Sequence, residues 1–167
     1  MLTKYVRLFL WVFLLSGMLS TSFSQQVIAK IEQLTKGADV ILTGKVTKQN
    51  SSWNQNKTRI ITHTTVQVDG YLKGSNNENF VVVNHPGGEI GDVGEWYSHM
   101  PTFKNDEEVL LFLKKDKKSS GYHVYDGEEG KINIINDPRT GEKMTAFNIP
   151  VKTSKMQLRA IQINIAK

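Results

Sequence analysis

The stretch "RIITHTTVQVDGYLKG", Arg59 to Gly74, sorts its side chains into two alternating sets. Ile60, Thr62, Thr64, Val66 and Val68 fall on one face, and Ile61, His63, Thr65 and Gln67 on the other. A period of two in a run dominated by β-branched residues specifies a strand, because such side chains suit a pleated surface and are stiff in a helix. A strand of this length has to curve to stay on a small core, and Gly70 is where a bend or bulge is expected.

The neighbouring sequence repeats this pattern. Upstream, "DVILTGKVT" (Asp39 to Thr47) puts Val40, Leu42 and Val46 on one face, with Gly44 where another backbone can approach. The polar "KQNSSWNQNKT" (Lys48 to Thr58) is read as the connecting loop. Downstream, "LKGSNNEN" is a turn, "FVVVN" (Phe80 to Asn84) a strand, and "EEVLLFLKK" (Glu107 to Lys115) a strand that is apolar on both faces from Val109 to Leu113. Such a strand belongs at the centre of a sheet or under a helix. "GYHVYD" and "GKINII" are two more strands around the turn-prone "GEEG", and "NDPRTGEK" is a further turn.

Two helices bracket these strands. In "VIAKIEQLTKGAD" the residues Val27, Ile28, Ile31 and Leu34 form one apolar stripe, with Gly37 as C-cap, so a helix is expected over about 26–37. Leu158, Ile161 and Ile165 have helical spacing too, and Thr153 or Ser154 supplies an N-cap for a second helix over about 153–166. Met156, Leu158, Ile161, Ile163 and Ile165 also alternate at period two, which keeps a terminal strand open. The fold class expected is mainly β with two flanking helices (α+β), a small five- or six-stranded barrel.

At the N-terminus, Lys4 and Arg7 precede "LFLWVFLL" and then "SGMLSTSFS", the charged, apolar and small-residue regions of a secretory signal peptide. Cleavage is expected after Ser24, leaving 25–167 as a single exported domain, periplasmic or extracellular. The apolar run is shorter than the roughly 20 residues of a spanning helix, so no stable membrane span is expected. The chain contains no cysteine, which excludes disulfides and a cysteine-linked lipid. The net charge of +5 falls to a mild +3 when Lys4 and Arg7 leave with the signal segment, and the cations are dispersed apart from "KKDKK" (Lys114 to Lys118), so nucleic acid is not an expected partner.

The ordered set "ADVILTGKV", "YLKG", "VVVNHPGGEIGDVG", "PTFKNDEEVLLFL" and "GEEGKINI" resembles a largely uncharacterised group of bacterial secreted proteins. That group repeats AD-hydrophobic-GxV, LKG, PGGE, PxF, EEVLLFL and GK. The part from "ADVILTGKV" to "YLKG" is also similar in layout to the OB-fold barrel of the tissue inhibitors of metalloproteinases and netrin-like modules. That resemblance implies an OB-like barrel and no more. The inhibitors place a free N-terminal cysteine on the protease zinc, and this chain has none.

The candidate site is "HPGGEIGDVGEWYSHMP", His85 to Pro101, the start of a long connection that runs to about residue 105. Its His85 and His99 lack the close pairing that pre-aligns zinc ligands, and Glu89, Asp92 and Glu95 do not match the spacing of a calcium loop. No metal or other cofactor is expected. The glycines are not followed by the Lys-Ser/Thr of a phosphate loop, and no serine lies in GxSxG. The chain therefore reads as a non-enzymatic exported module that contacts a protein or glycan through the 85–105 loop. The contact residues expected are His85, Glu89, Glu95 and Trp96, together with Trp53 from the polar loop. The alternative is a secreted hydrolase or metal-dependent enzyme built on the acidic and histidine residues of 85–99. Trp96 and Phe103 are more often cover for a barrel end than ligand platforms.

Overall fold

The computed structural model describes residues 22–74, 77–117 and 119–145. The chain divides into a unit of Met1–Gln33 and a unit of Leu34–Lys167. Helix α1 spans Ser22–Gly37, so the expected cleavage point after Ser24 falls in its first turn. Of the expected apolar stripe, Leu34 is buried while Ile28 is exposed. Gly37, expected as the C-cap, is the last helical residue and is not left-handed; glycine is needed there for space, because a β-carbon would collide with the ring of Tyr125. The last turn is tied down by Lys73, whose Nζ donates to the carbonyls of Thr35 (2.7 Å) and Ala38 (2.6 Å).

The second unit is a small β-barrel. Its strands are β1 (Val40–Trp53), β2 (Ile60–Lys73), β3 (Phe80–Pro86), β4 (Gly88–Ile90), β5 (Val93–Glu95), β6 (Glu108–Lys115), β7 (Tyr122–Val124), β8 (Lys131–Asn136) and β9 (Lys143–Thr145). Five of them close a ring in the order β1-β2-β3-β7-β6, with β6 returning to β1. All contacts in the ring are antiparallel except β3 with β7, which is parallel and rests on one bridge, Val83 with Tyr122. Strands β7 and β8 lie end to end along the same edge of β6, interrupted by Tyr125–Gly130 with its 3-10 turn Gly127–Gly130. Strand β9 extends the sheet beyond β8.

The alternation predicted for β1 and β2 fills this ring. Val40, Leu42, Val46 and Val66 join Val81, Val83, Val109, Leu111, Leu113, Tyr122 and Val124 in one buried core. Strand β6 is buried on both faces, with Leu110 and Phe112 as inaccessible as their neighbours, as its unbroken apolar run requires. The expected curvature takes the form of three register shifts between β1 and β2, near Ile41, Thr43 and Val46. Each shift puts an extra residue in one strand and raises the local twist, which bends the long hairpin around a narrow core.

Three expectations change. Strand β1 runs on through "KQNSSW", because Trp53 still pairs with Ile60 and Ser51 bonds Thr62 across the ladder at 2.9 Å. The true loop is Asn54–Arg59, closed by the Asn54 side chain, which accepts from the backbone N–H groups of Thr58 (2.8 Å) and Arg59 (3.2 Å). The segment 85–105 is not wholly irregular, since it contains the β4–β5 hairpin. The turn "NDPRTGEK" joins β8 to the unanticipated β9, with Asp137 Oδ1 accepting from Arg139 N–H at 2.8 Å. The expected second helix over 153–166 lies outside the described residues.

Candidate functional site

The segment after β3 is fixed to the barrel mouth by its own polar groups. Gly87 donates its N–H to Ile60 O at 2.9 Å, and Thr62 Oγ1 donates to Gly87 O at 2.6 Å. At Gly88 (φ 130°) a side chain would strike the hydroxyls of Thr62 and Ser51, so glycine is required both for conformation and for space. Glu95 accepts a hydrogen bond from the N–H of Ile60 at 2.6 Å, and Arg59 reaches Tyr97 Oη at 2.8 Å. The segment is therefore sewn to the start of β2.

This placement disperses the acidic and histidine cluster that the sequence suggested. Glu89 and Asp92 are exposed, Glu95 is engaged with backbone, and His99 is exposed and 3.5 Å from Glu128. Among the described residues no group of three or more such side chains is placed to hold a metal ion. Phe103 does cover the barrel end: it is buried in the core, and its ring lies 5.4 Å from that of His85. Trp96 does not, being 72% exposed across the backbone of Gly94. His85 points inward, with Nε2 3.3 Å from Thr64 Oγ1. Burial lowers its pKa from the ordinary 6.5, against a weaker opposing effect of the Pro86 carbonyl. Glu89, Glu95, Trp96 and His85 line a hollow of about 410 Å³ at this mouth.

A larger groove, of about 920 Å³, lies on the outer surface of β2 and β3 between the β1–β2 loop and the β6–β7 turn. Trp53, Ile61 and Pro86 give it apolar surface, and Ser52, His63, Asn84, Asp116, Ser119 and His123 give it polar groups. Two of the expected contact residues, Trp53 and His85, line it. Trp53 is 40% exposed at the end of β1. Lys114, Lys115 and Lys117, from the "KKDKK" run, lie along the groove with Asp39 and Asp116.

A chain of hydrogen bonds organises the polar part. Asp116 accepts from Asn84 Nδ2 (2.9 Å), from Ser119 Oγ (2.8 Å) and from His123 Nδ1 (2.6 Å). Burial pushes the Asp116 carboxyl up, but the hydrogen bonds from Asn84, His123 and Ser119, with the charge of His123, outweigh it and hold the pKa below the ordinary 3.8. Because a carboxylate only accepts, the Asn84 amide nitrogen faces Asp116 and its oxygen faces His63 Nδ1 at 2.7 Å. His63 Nδ1 must then carry the proton. In the neutral ring, Nε2 is left as the acceptor, and it faces Ser52 Oγ at 3.3 Å.

Asn84 also closes a seam. Among the described residues β3 and β7 are bridged at Val83 with Tyr122, and the Asn84 side chain reaches across to Asp116, Ser119 Oγ (3.3 Å) and Ser120 O (3.2 Å).

The sequence did not single out Ser52, His63, Asn84, Asp116 or His123 as a group. His63 does sit on the outward face of β2, as the alternation of that strand indicates. The direct pairing of His63 with Asn84 depends on the register of β2 and β3, and the approach of β7 on a contact between strands far apart in sequence. Comparison with protein-family models and with curated proteins finds no match for this chain.

Proposed function

We propose that the chain is an exported, OB-like binding module that holds a glycan in the groove on β2 and β3. The observation that carries this reading is the convergence of Trp53, His63, Asn84 and His123 from four strands and their edges on one groove of about 920 Å³. That size suits a small ligand, and the mixture of an exposed aromatic with closely spaced hydrogen-bonding groups is what a sugar ring needs. An indole takes the apolar face of a pyranose, while imidazole, amide and hydroxyl groups take its hydroxyls.

The OB-like reading is supported by the strand order, in which β6 returns to β1 and the one parallel contact joins β3 to the strand after β6. It is supported also by the groove's position, since OB barrels bind oligosaccharides and oligonucleotides on the face of strands 2 and 3 between the flanking loops. Export follows from the charged, apolar and small-residue order of residues 1–24. The groove replaces the 85–105 segment as the main contact surface, because Glu95 is committed to backbone and Glu89 faces solvent.

The test is a panel of immobilised oligosaccharides probed with the purified protein and with Trp53→Ala. Binding by the wild type that falls at least tenfold in the variant supports the reading. Binding that ignores Trp53, or no binding anywhere in the panel, removes it.

A further inference from the structure

We propose that Ser52 is a nucleophile activated by His63, so that the groove carries a serine esterase centre. Three side chains from three adjacent strands make the arrangement: Ser52 on β1, His63 on β2 and Asn84 on β3. Ser52 Oγ lies 3.3 Å from His63 Nε2, and His63 Nδ1 lies 2.7 Å from Asn84 Oδ1. This is the relation of nucleophile, base and orienting group by which such centres are recognised irrespective of fold or sequence order.

The proton placement follows from the fourth member. Asp116 accepts from Asn84 Nδ2 at 2.9 Å, which fixes the amide so that its oxygen can only accept from His63. The imidazole is thereby held in the tautomer whose basic nitrogen meets the serine hydroxyl. A cross-strand Ser–His contact alone fixes neither tautomer nor ring orientation; here both are imposed from behind by Asn84 and Asp116. Ser51 next door is different, since its hydroxyl is paired with Thr62 at 2.9 Å and touches no base.

The substrate class is a carboxylic ester small enough to enter the groove beside Trp53, which lines it next to Ser52. In the acylation step the Ser52 Oγ–H proton passes to His63 Nε2, a bond forms from Oγ to the carbonyl carbon, and the carbonyl π pair moves to its oxygen. On collapse the ester C–O bond breaks and the departing alcohol takes the proton from Nε2. Water then attacks the acyl-serine by the same path, releasing the carboxylic acid and restoring both residues. Esters are named rather than amides because an alkoxide or phenolate leaves more readily than an amine. Asn84 and Asp116 are positioning residues.

The experiment is covalent labelling of the folded, full-length chain with a fluorophosphonate, mapped by peptide mass spectrometry, alongside p-nitrophenyl acetate hydrolysis. One adduct on Ser52 is expected, lost in Ser52→Ala and retained in Ser51→Ala. His63→Gln should slow both labelling and hydrolysis by about 100-fold or more, in line with loss of a general base. Asn84→Ala should slow acylation, and Asn84→Asp, which keeps an acceptor for His63, should restore part of the rate. Circular dichroism of each variant separates these effects from unfolding. Absence of a Ser52 adduct, adducts scattered over several serines, or a labelling rate indifferent to His63→Gln overturns the proposal. Each of those results leaves glycan binding at Trp53 to its own test.

Discussion

Glu95 and Ile60 are joined by a 2.6 Å hydrogen bond in which the carboxylate accepts from the backbone N–H at the start of β2. That bond turns a residue with the chemistry of a catalytic acid into a structural pin. Glu95→Ala would leave a partly buried N–H without its partner and should destabilise the protein by about 1–3 kcal/mol, measured by urea denaturation. Glu95→Gln, which keeps an oxygen in place, should recover much of the loss. A Glu95→Ala variant of wild-type stability would show that the hairpin is not pinned here.

Asn84→Leu tests the seam between β3 and β7. The variant keeps side-chain bulk but cannot span to Asp116, Ser119 and Ser120, so amide exchange at Val83 and Tyr122 should accelerate by tenfold or more. Exchange in the β1–β2 ladder should change far less. Uniform acceleration would mean that the clasp serves global stability instead of the seam.

His85 makes stability depend on pH in mild acid. Its folded-state pKa is lowered from 6.5, so its contribution is fully present above that value and declines as pH falls toward the folded value, where the unfolded chain takes up a proton first. Unfolding free energy measured from pH 8 to pH 5 should show this decline, and His85→Phe, which keeps a ring against Phe103, should flatten it. An unchanged slope would assign the decline to other groups.

Asp116 acts lower on the scale. Its folded-state pKa lies below 3.8, so the stability it adds is present above that value and is lost as pH falls through the lower folded value. Asp116→Asn should therefore narrow the stability difference between about pH 5 and stronger acid, with the variant and wild type converging at the acid end. Parallel curves would contradict the assignment.

Gly37→Ala should destabilise the protein by about 1 kcal/mol, since the added methyl meets the outer end of the half-buried Tyr125 ring, which has to shift to make room. Combining it with Tyr125→Ala should give a loss smaller than the sum of the two, read as a coupling in a double-mutant cycle.

What the sequence made legible was decided by local physics. The alternation in β1 and β2 and the two-sided apolarity of β6 put the named apolar residues in the core, but the start of β1 is buried on both faces, so Ile41 and Thr43 go unnamed by a period of two. The polar end of β1 reads as loop because "KQNSSW" carries no apolar signal; its pairing with β2 stabilises it instead. The charged, glycine-rich 85–101 segment drew attention as a site because its composition is unusual, yet Glu95 and Gly88 answer to packing and hydrogen bonding. The Ser52–His63–Asn84–Asp116–His123 chain was hidden for the opposite reason. Four of its members are ordinary residues on separate strands and Asp116 lies in the β6–β7 turn, so only register brings them together.

The parallel contact between β3 and β7 has a mechanical meaning. Every other seam of the barrel is stitched by several backbone rungs, whereas this one rests on Val83, Tyr122 and the side chain of Asn84. Under load or thermal agitation it is the place where the ring would unzip. The groove lies over that seam, with Asn84 and His85 on one bank and His123 on the other, so any molecule that filled it would work as a splint, and the rigidity of the whole barrel would report its occupancy.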